Sequence, residues 1–497
     1  MQQLAGVDAA FLHLETPQMP MHVGALHLFE LPADYAGNYL DDLRAHIAGR
    51  LALLPPLRRR LETMPLNLAN PVWVDAKPDL KKHIVGISLP AGSGLAELEQ
   101  QVALLHPQLL DRGRPLWKFF VFKGLAPGPQ GQRHVGVYTQ LHHAAVDGKA
   151  AVALAGVILD LGAKSRAIKL PKRQARQSEP GQAELLRLAL TQEWQQLVQL
   201  VRALPSTAGT LTAMALQKAV DTAAETLSAW RASGRKKASP AVNNFGLAPH
   251  TRLNQSLSAE RSFSTVSLPL AELNEIRRRH GASLNDALLF ICAGALRRLF
   301  ARHGPLPRKS LVAAVPASMR ASGDDQANTQ ATMTLVSLGT HLARPARRLA
   351  HLLAASRAMK NQLGQVKSLM PADYPSLGIP WLLQAGALLY GRAQLAERLP
   401  CLANLVISNV PGSPVPLYLA GARMLCNYPA SIVVHGLALN ITVQTYADSL
   451  DIGLMACARA LPETAELASF IEAAFEEFRG LPGVKTGARA GRKAGGS

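Results

Sequence analysis

HVGVYTQLHHAAVDG, residues 134–148, is the most informative stretch of this chain. Its first nine residues alternate between two faces with the period of a β-strand. Residues 149–162 are rich in alanine and leucine and predict a largely buried helix. The pair His142-His143 and the carboxylate of Asp147 therefore fall at a strand–loop–helix junction. In open α/β sheets, ligands bind outside the carboxyl ends of such strands.

The two adjacent histidines are predicted to have unequal roles. Neighbouring side chains on an extended backbone point in opposite directions, so one imidazole enters a cavity and the other packs into the structure. Histidine can take and return a proton near neutral pH, although such a pair could equally be hydrogen-bonded structure. His143 and Asp147, four residues apart, could also ligate a metal. No third ligand lies at a useful local spacing, so no metal site is predicted.

Length and composition predict a large protein with an anionic partner. The 497 residues are 48% hydrophobic, enough for two cores, and carry a net charge of +19. The four cysteines show no metal-binding spacing and are interpreted as buried free thiols. No secretory signal is predicted at the start of the chain. The apolar segments 150–162 and 379–391 are shorter than the roughly 20 residues that a membrane span requires.

The chain is predicted to divide into four segments. Residues 1–163 form an N-terminal α/β domain, and residues 246–482 form a second one. Between them, 164–245 is a basic linker and connector with helices over 182–204 and 211–232. Residues 483–497 have little apolar content and predict a disordered tail.

Four short motifs occur in a family's characteristic order. They are the block Pro115-Leu116-Trp117, the run His142-His143-Ala144-Ala145-Val146-Asp147-Gly148, the pair Asn285-Asp286 and the block Asn409-Val410-Pro411-Gly412. The run alone matches the signature of the chloramphenicol acetyltransferase-like superfamily. All four motifs, with the opening blocks at 7–12 and 21–24, resemble the bacterial wax ester synthase/acyl-CoA:diacylglycerol acyltransferase family. The resemblance covers about residues 4–479.

The resemblance implies a fold, a reaction and a cellular location. The fold would be α/β, with two chloramphenicol acetyltransferase-like domains of mixed sheets, a helical connector and an active-site channel between the domains. The reaction would transfer a fatty acyl group from acyl-CoA, the co-substrate, to diacylglycerol or a long-chain alcohol. No permanently bound cofactor and no nucleic acid are implied. The protein would be cytoplasmic, with peripheral contact to the inner membrane or to lipid inclusions.

Site residues follow from the same resemblance. His143 would be the general base, and His142 a supporting neighbour. Asp147 would brace the loop through a salt bridge, with Arg320 as its candidate partner. Gly148 would let the backbone pass close to substrate or helix. An acyl-enzyme is not expected, because the sequence has no GxSxG elbow and no cysteine in a nucleophile setting.

Other residues and other functions stay open at this point. Asn285 and Asp286 could support the active site or only cap a helix, and Asn409 could orient substrate or only form a turn. A condensation-type or tailoring acyltransferase that uses a carrier-bound donor is the alternative enzyme. A non-catalytic lipid-binding or nucleic-acid-binding protein is the alternative outside catalysis. The sequence lacks the interleaved aromatic and basic residues typical of nucleic-acid sites.

Overall fold

The described part of the chain forms mixed β-sheets flanked by helices. The computed structural model describes residues 2–4, 6–65, 70–146, 148–167, 181, 247–318, 331–367, 391 and 393–483. The predicted connector helices, nearly all of the apolar segment 379–391 and the tail beyond residue 483 lie outside these residues.

Strands and helices alternate along both halves of the chain. The strands are β1 (Gln2–Gln3), β2 (His22–Glu30), β3 (Arg59–Glu62), β4 (Val72–Asp75), β5 (Ile84–Ser93), β6 (Trp117–Leu125), β7 (His134–His142), β8 (Arg261–Pro269), β9 (Val312–Ser318), β10 (Ala331–Ser337), β11 (Leu405–Val410), β12 (Tyr418–Leu419), β13 (Ala422–Ala430), β14 (Leu439–Tyr446) and β15 (Ser449–Cys457). The α-helices are α1 (Gly6–Leu14), α2 (Tyr39–Arg50), α3 (Leu80–His83), α4 (Leu95–Leu105), α5 (Gly148–Ile158), α6 (Leu270–Arg279), α7 (Leu284–His303), α8 (Pro345–Lys367), α9 (Leu395–Arg398) and α10 (Thr464–Arg479). Two short 3₁₀ helices, Leu51–Leu53 and Pro55–Arg58, follow α2.

Two six-stranded sheets and one three-stranded sheet organise these elements. The strand order is β12-β13-β2-β7-β6-β5 in the first large sheet and β10-β9-β11-β14-β15-β8 in the second. Each mixes strand directions, since β5 is parallel to β6 and β11 is parallel to both β9 and β14. The predicted α/β class with two mixed sheets is confirmed.

The first sheet contains strands from late in the chain. β13 pairs antiparallel with β2, so that Arg423 faces Glu30 and Ala430 faces Gly24. These residues of β12 and β13 fall inside the unit predicted for 246–482, yet they extend the sheet of the N-terminal unit. Local periodicity predicts that a strand forms but not which distant strand it pairs with, so the sequence did not indicate this crossover.

β7 lies inside the first sheet and is buried on both of its faces. Val135, Val137 and Leu141 belong to one core cluster, whereas Tyr138 packs on the other face with Phe120. The alternating side chains that predicted this strand therefore face two apolar cores, and neither face of the strand is turned to solvent. Burial of both faces fixes the register that brings the histidine pair to the end of the strand.

The helix after the histidine motif is shorter than the sequence predicts. α5 ends at Ile158 rather than continuing through residue 162. Asp160 instead pairs with buried Arg50, both carboxylate oxygens lying 2.8 Å from the guanidinium Nη2. Its backbone also exchanges two 2.8 Å hydrogen bonds with Tyr418. A buried carboxylate needs such a partner. The helix therefore ends before Asp160, where the carboxylate binds Arg50.

Two local predictions in the second sheet are confirmed. The apolar run 405–410 predicts a short buried strand, which is β11. The alternation on both sides of residues 446–449 predicts a hairpin, which joins β14 to β15. Tyr446 faces Ser449 across a two-residue turn in which Ala447 has φ 45°. Such two-residue turns match the twist of antiparallel strands.

α7 forms the centre of the second core. Serine is a favoured N-cap residue, and Ser283 accepts a hydrogen bond from the N–H of Asp286. Twelve of the twenty residues of α7 are buried. Arg297 and Arg298 interrupt its apolar surface, and no helix among the described residues is both long and apolar enough to cross a bilayer.

Replacing Gly24 with alanine is expected to lower the free energy of unfolding by about 3 kcal/mol. A Cβ at Gly24 would lie 1.8 Å from the carbonyl oxygen of Thr139, so β2 and β7 would have to separate close to the histidine motif. Urea unfolding measures the change. Gly49→Ala is the control, because its Cβ meets nothing within 4 Å in α2 and helix propensity favours alanine. Equal stability of the two variants would contradict the prediction.

Candidate active site

Backbone hydrogen bonds hold the histidine pair at the end of β7. The N–H of His142 donates to the carbonyl of Leu116 at 3.0 Å, and that of His143 donates to the carbonyl of Met21 at 2.8 Å. The N–H of Ala144 donates to Nδ1 of His142 at 3.0 Å, and the N–H of the next residue donates to the carbonyl of His142 at 2.9 Å. Four consecutive N–H groups therefore fix the start of this loop.

The two imidazoles lie in different environments. His142 is fully buried, whereas His143 is partly exposed and stacks on the ring of Phe11. This is the division that alternate side-chain directions predicted. His142 faces the interior, and His143 is the partly exposed imidazole of the pair.

The contacts of His142 define which nitrogen carries its proton. A backbone N–H can only donate, so Nδ1 accepts from Ala144 and must be unprotonated. In the neutral ring Nε2 then carries the proton, and it lies 3.1 Å from a carboxylate oxygen of Glu15. Burial lowers the pKa of His142, and the contact with Glu15 only partly offsets this effect. His142 is therefore a neutral imidazole with its proton on Nε2.

Glu15 is the centre of a buried polar cluster that the sequence did not indicate. Besides His142, its carboxylate lies 3.4 Å from Nε2 of His22 and 2.8 Å from Nη2 of Arg112, and it accepts from the N–H of Met21 at 3.3 Å. Burial by itself would raise the pKa of Glu15, but hydrogen bonds from the two histidines outweigh it and hold the pKa well below the usual range. The carboxylate is thus ionised at physiological pH.

The Pro115-Leu116-Trp117 block contacts the end of β7 and the core next to it. Trp117 is 1% exposed, donates from Nε1 to the carbonyl of Leu57 at 3.0 Å and stacks on His83. Leu116 is equally buried, and its carbonyl holds the N–H of His142. This block therefore anchors the core and fixes the end of β7.

Two of the predicted site residues, Asp147 and Arg320, lie outside the described residues. Gly148 is the first residue of α5, so the motif runs from the end of a strand into the start of a helix. Among the site residues that the structure describes, His142, His143 and Gly148 are brought together on this one loop.

The Asn285-Asp286 pair occupies the first turn of α7. Asp286 accepts from both the N–H and the hydroxyl of Ser283, at 2.9 Å and 2.7 Å, and completes a capping box. Burial would raise the pKa of Asp286, but hydrogen bonds from Ser356 and Ser283 lower it. This carboxylate therefore serves as part of the helix cap, and Asn285 is half-buried beside it.

Asn409 lies in β11, in agreement with the strand expected at 405–410, and not in the turn that comes after it. It is exposed and faces Val443 of β14. The turn follows it, where the N–H of Gly412 donates to the hydroxyl of Thr445 at 3.1 Å. A Cβ at Gly412 would lie 1.8 Å from the carbonyl oxygen of Thr445, so this position requires glycine.

Comparison with known proteins identifies the family. Residues 4–288 match the model of the wax ester synthase/diacylglycerol acyltransferase catalytic domain, and residues 328–479 match the C-terminal domain of the same family. The chain is 34% identical over 490 residues to a Mycobacterium tuberculosis protein provisionally named as a diacylglycerol O-acyltransferase, covering 97% of this chain and 100% of that protein. It is 33% identical over 495 residues to O-acyltransferase WSD of Acinetobacter baylyi, covering 97% and 98%.

Solved structures agree with the sequence comparison. The wax ester synthase/diacylglycerol acyltransferase from Marinobacter aquaeolei VT8 superposes with a TM-score of 0.66 at 27% identity, covering 97% of this chain and 100% of that structure. The first condensation domain of the CDA synthetase has a TM-score of 0.51 at 14% identity and covers 97% of each chain, a likeness of fold alone. The chain therefore belongs to the wax ester synthase/diacylglycerol acyltransferase family and is an acyltransferase enzyme.

Proposed function

We propose that the chain transfers a fatty acyl group from acyl-CoA to the hydroxyl of diacylglycerol or a long-chain alcohol, with His143 as the general base. The observation that carries this proposal is the contrast within the histidine pair. His142 is a buried neutral imidazole that faces Glu15, and His143 is a partly exposed imidazole on a loop fixed by its backbone. The resemblance and the names of the relatives supply the substrate classes.

The proposed reaction is a direct displacement at the thioester carbonyl. His143 takes the proton from the acceptor hydroxyl as its oxygen attacks, which contributes roughly 10²–10⁴-fold to the rate. The carbon–sulfur bond then breaks, and the CoA thiolate receives the proton from the imidazolium. The products are an ester and free CoA, and His143 returns to its neutral form.

The cysteines favour direct transfer over a covalent acyl-enzyme. A nucleophilic cysteine must be accessible and easily ionised. Cys292 and Cys426 are buried, and burial raises the pKa of each thiol to about 12. Burial would raise the pKa of Cys457 and hydrogen bonds with Ser258 lower it, but this thiol is 0% exposed. Cys401 is partly exposed, and burial raises its pKa. We therefore propose that donor and acceptor react in a ternary complex.

Other site residues are proposed to support His143. His142 holds the loop through Glu15, and Gly148 allows the turn into α5. Asp147 would brace the loop with Arg320 as its partner, as the resemblance implies. Asn285, Asp286 and Asn409 remain proposed as supporting residues, and Asp286 acts through the cap of α7.

We propose that the enzyme works at the surface of the inner membrane or of lipid inclusions, on the cytoplasmic side. Its acceptors are lipids, and its net charge of +19 favours anionic surfaces. Leu104, Leu161 and Leu402 are 58%, 76% and 60% exposed and could enter a lipid surface. Co-flotation with anionic vesicles that weakens with added salt is expected. Equal flotation with zwitterionic vesicles would contradict the electrostatic part.

Incubation with labelled palmitoyl-CoA tests the proposed reaction. Hexadecanol and dioleoylglycerol are offered in parallel, and the labelled products are separated. A wax ester, a triacylglycerol or both are expected, with release of free CoA. Palmitoyl-carrier protein serves as the comparison donor. Transfer from the carrier-bound donor alone would establish the condensation-type alternative, and no product from either donor would overturn the proposal.

A further inference from the structure

We infer that Phe11 is a positioning residue, which orients the imidazole of His143 and stabilises it once it is protonated. The inference rests on the proposed role of His143 as base. The two rings are stacked, with centroids 3.9 Å apart and an interplanar angle of 21°. This separation is the shortest among the ring pairs in the described ranges. Phe11 lies in α1, far from the motif in sequence.

The position of Phe11 is itself fixed by packing. Its helix neighbour Leu12 is 1% exposed, and α1 packs in the same cluster as Ala144 of the motif loop. Phe11 is half-buried and joins this cluster from its edge. The ring therefore cannot move away from the loop without opening a packed contact.

The backbone of His143 is fixed, so contacts of the side chain decide the orientation of the imidazole. Its N–H donates to the carbonyl of Met21, and the stack with Phe11 is one of those side-chain contacts. A ring stacked on one face of the imidazole limits its rotation. Such a base is held close to one orientation before the acceptor arrives, which favours reaction.

The stack also has an electrostatic consequence. The face of a phenyl ring carries partial negative charge and attracts a cation placed over it. In the proposed reaction His143 is neutral before proton transfer and positive afterwards. Phe11 would then stabilise the charged imidazolium more than the neutral ring, and this difference lowers the barrier to proton transfer.

Two other histidines that stack on aromatic rings are more deeply buried than His143. His83 stacks on Trp117 at 4.4 Å and His280 on Phe478 at 5.3 Å. Both of these histidines are buried, and burial lowers the pKa of each. His143 is only partly buried. Its stack therefore lies where a substrate can meet the imidazole.

Phe11→Leu tests the inference, because leucine keeps an apolar side chain and removes the ring face. We expect kcat to fall roughly 3- to 30-fold with the KM for acyl-CoA nearly unchanged. Loss of the ring face makes the imidazolium less stable, so His143 becomes protonated only at lower pH. The acidic limb of the kcat profile should then move to lower pH by roughly half a pH unit. Phe11→Tyr keeps the ring and should restore both properties.

Phe300→Leu is the matched control, since Phe300 is also half-buried but packs against the second core. The imidazole titration of His143, followed by NMR and assigned by its loss in His143→Gln, gives a readout independent of turnover. Phe11→Leu with wild-type kcat and an unchanged titration would overturn the inference. So would losses in Phe11→Leu and Phe300→Leu that are equal and leave the titration unchanged. Absence of activity in the wild type would instead contradict the proposed function.

Discussion

His143→Ala is expected to reduce the rate of ester formation by roughly 10²–10⁴-fold, the contribution of a positioned general base. The substitution removes the imidazole and leaves the backbone N–H, which still donates to the carbonyl of Met21. The fold should therefore persist. Steady-state kinetics with labelled acyl-CoA measure the change, and circular dichroism checks the fold.

His134→Ala provides the matched control for this variant. His134 is the first residue of the same strand, is also partly exposed and lies at the opposite end from the motif. Its removal should leave kcat within about twofold of the wild type, an ordinary effect for a surface substitution. Near-normal turnover in His143→Ala would remove the proposed mechanism, whereas equal losses in both variants would indicate damage to β7 rather than loss of a base.

Local patterns predicted the elements that position the motif. The alternation over residues 134–142 predicted β7, and the turn residues after Tyr446 predicted the hairpin between β14 and β15. Both signals lie within a few residues of the structure that they specify. The capping box of α7 is equally local, since Ser283 and Asp286 are three residues apart.

Contacts between distant parts of the chain were not predictable in this way. β13 joins the first sheet by pairing with β2, and the periodicity of a strand does not indicate which distant strand it pairs with. Glu15 meets Arg112 across 97 residues of sequence, and its neighbours Leu14 and Thr16 give no sign of a buried carboxylate. An acidic residue near the end of a helix is ordinarily exposed, so only the assembled fold shows its role.

The cluster around Glu15 explains how two adjacent histidines acquire different chemistry. Nε2 of His142 lies 3.1 Å from the carboxylate of Glu15, and the N–H of Ala144 donates to Nδ1, so both nitrogens face groups inside the protein. His142 is thus unavailable to a substrate. Its fixed ring also holds the turn from which His143 projects, so we propose that Glu15 affects the base through this neighbour.

Glu15→Gln is expected to lower kcat roughly 10- to 100-fold, about 1.4–2.8 kcal/mol in the barrier, and the free energy of unfolding by about 3 kcal/mol. A glutamine amide has one acceptor oxygen and adds an NH₂ group. That NH₂ would face either Arg112 or the histidines, whose nitrogens now lie 2.8–3.4 Å from the carboxylate. Buried donors would be left unpaired, and the ring of His142 would lose its anchor. Urea unfolding and steady-state kinetics measure the two effects.

The pH dependence of this effect has a defined sign. The pKa of Glu15 is lower in the folded protein than the 4.5 of an unperturbed glutamate, so the ionised carboxylate adds stability above that value. This stability is lost as the pH falls toward the lowered pKa. The difference in unfolding free energy between wild type and Glu15→Gln should therefore be largest at neutral pH and narrow in acid. Glu99→Gln is the control, because burial raises the pKa of Glu99 and a glutamine oxygen can still accept from Thr265. A constant difference at every pH, or equal behaviour of the two variants, would show that Glu15 is not the ionised centre that holds His142 in place.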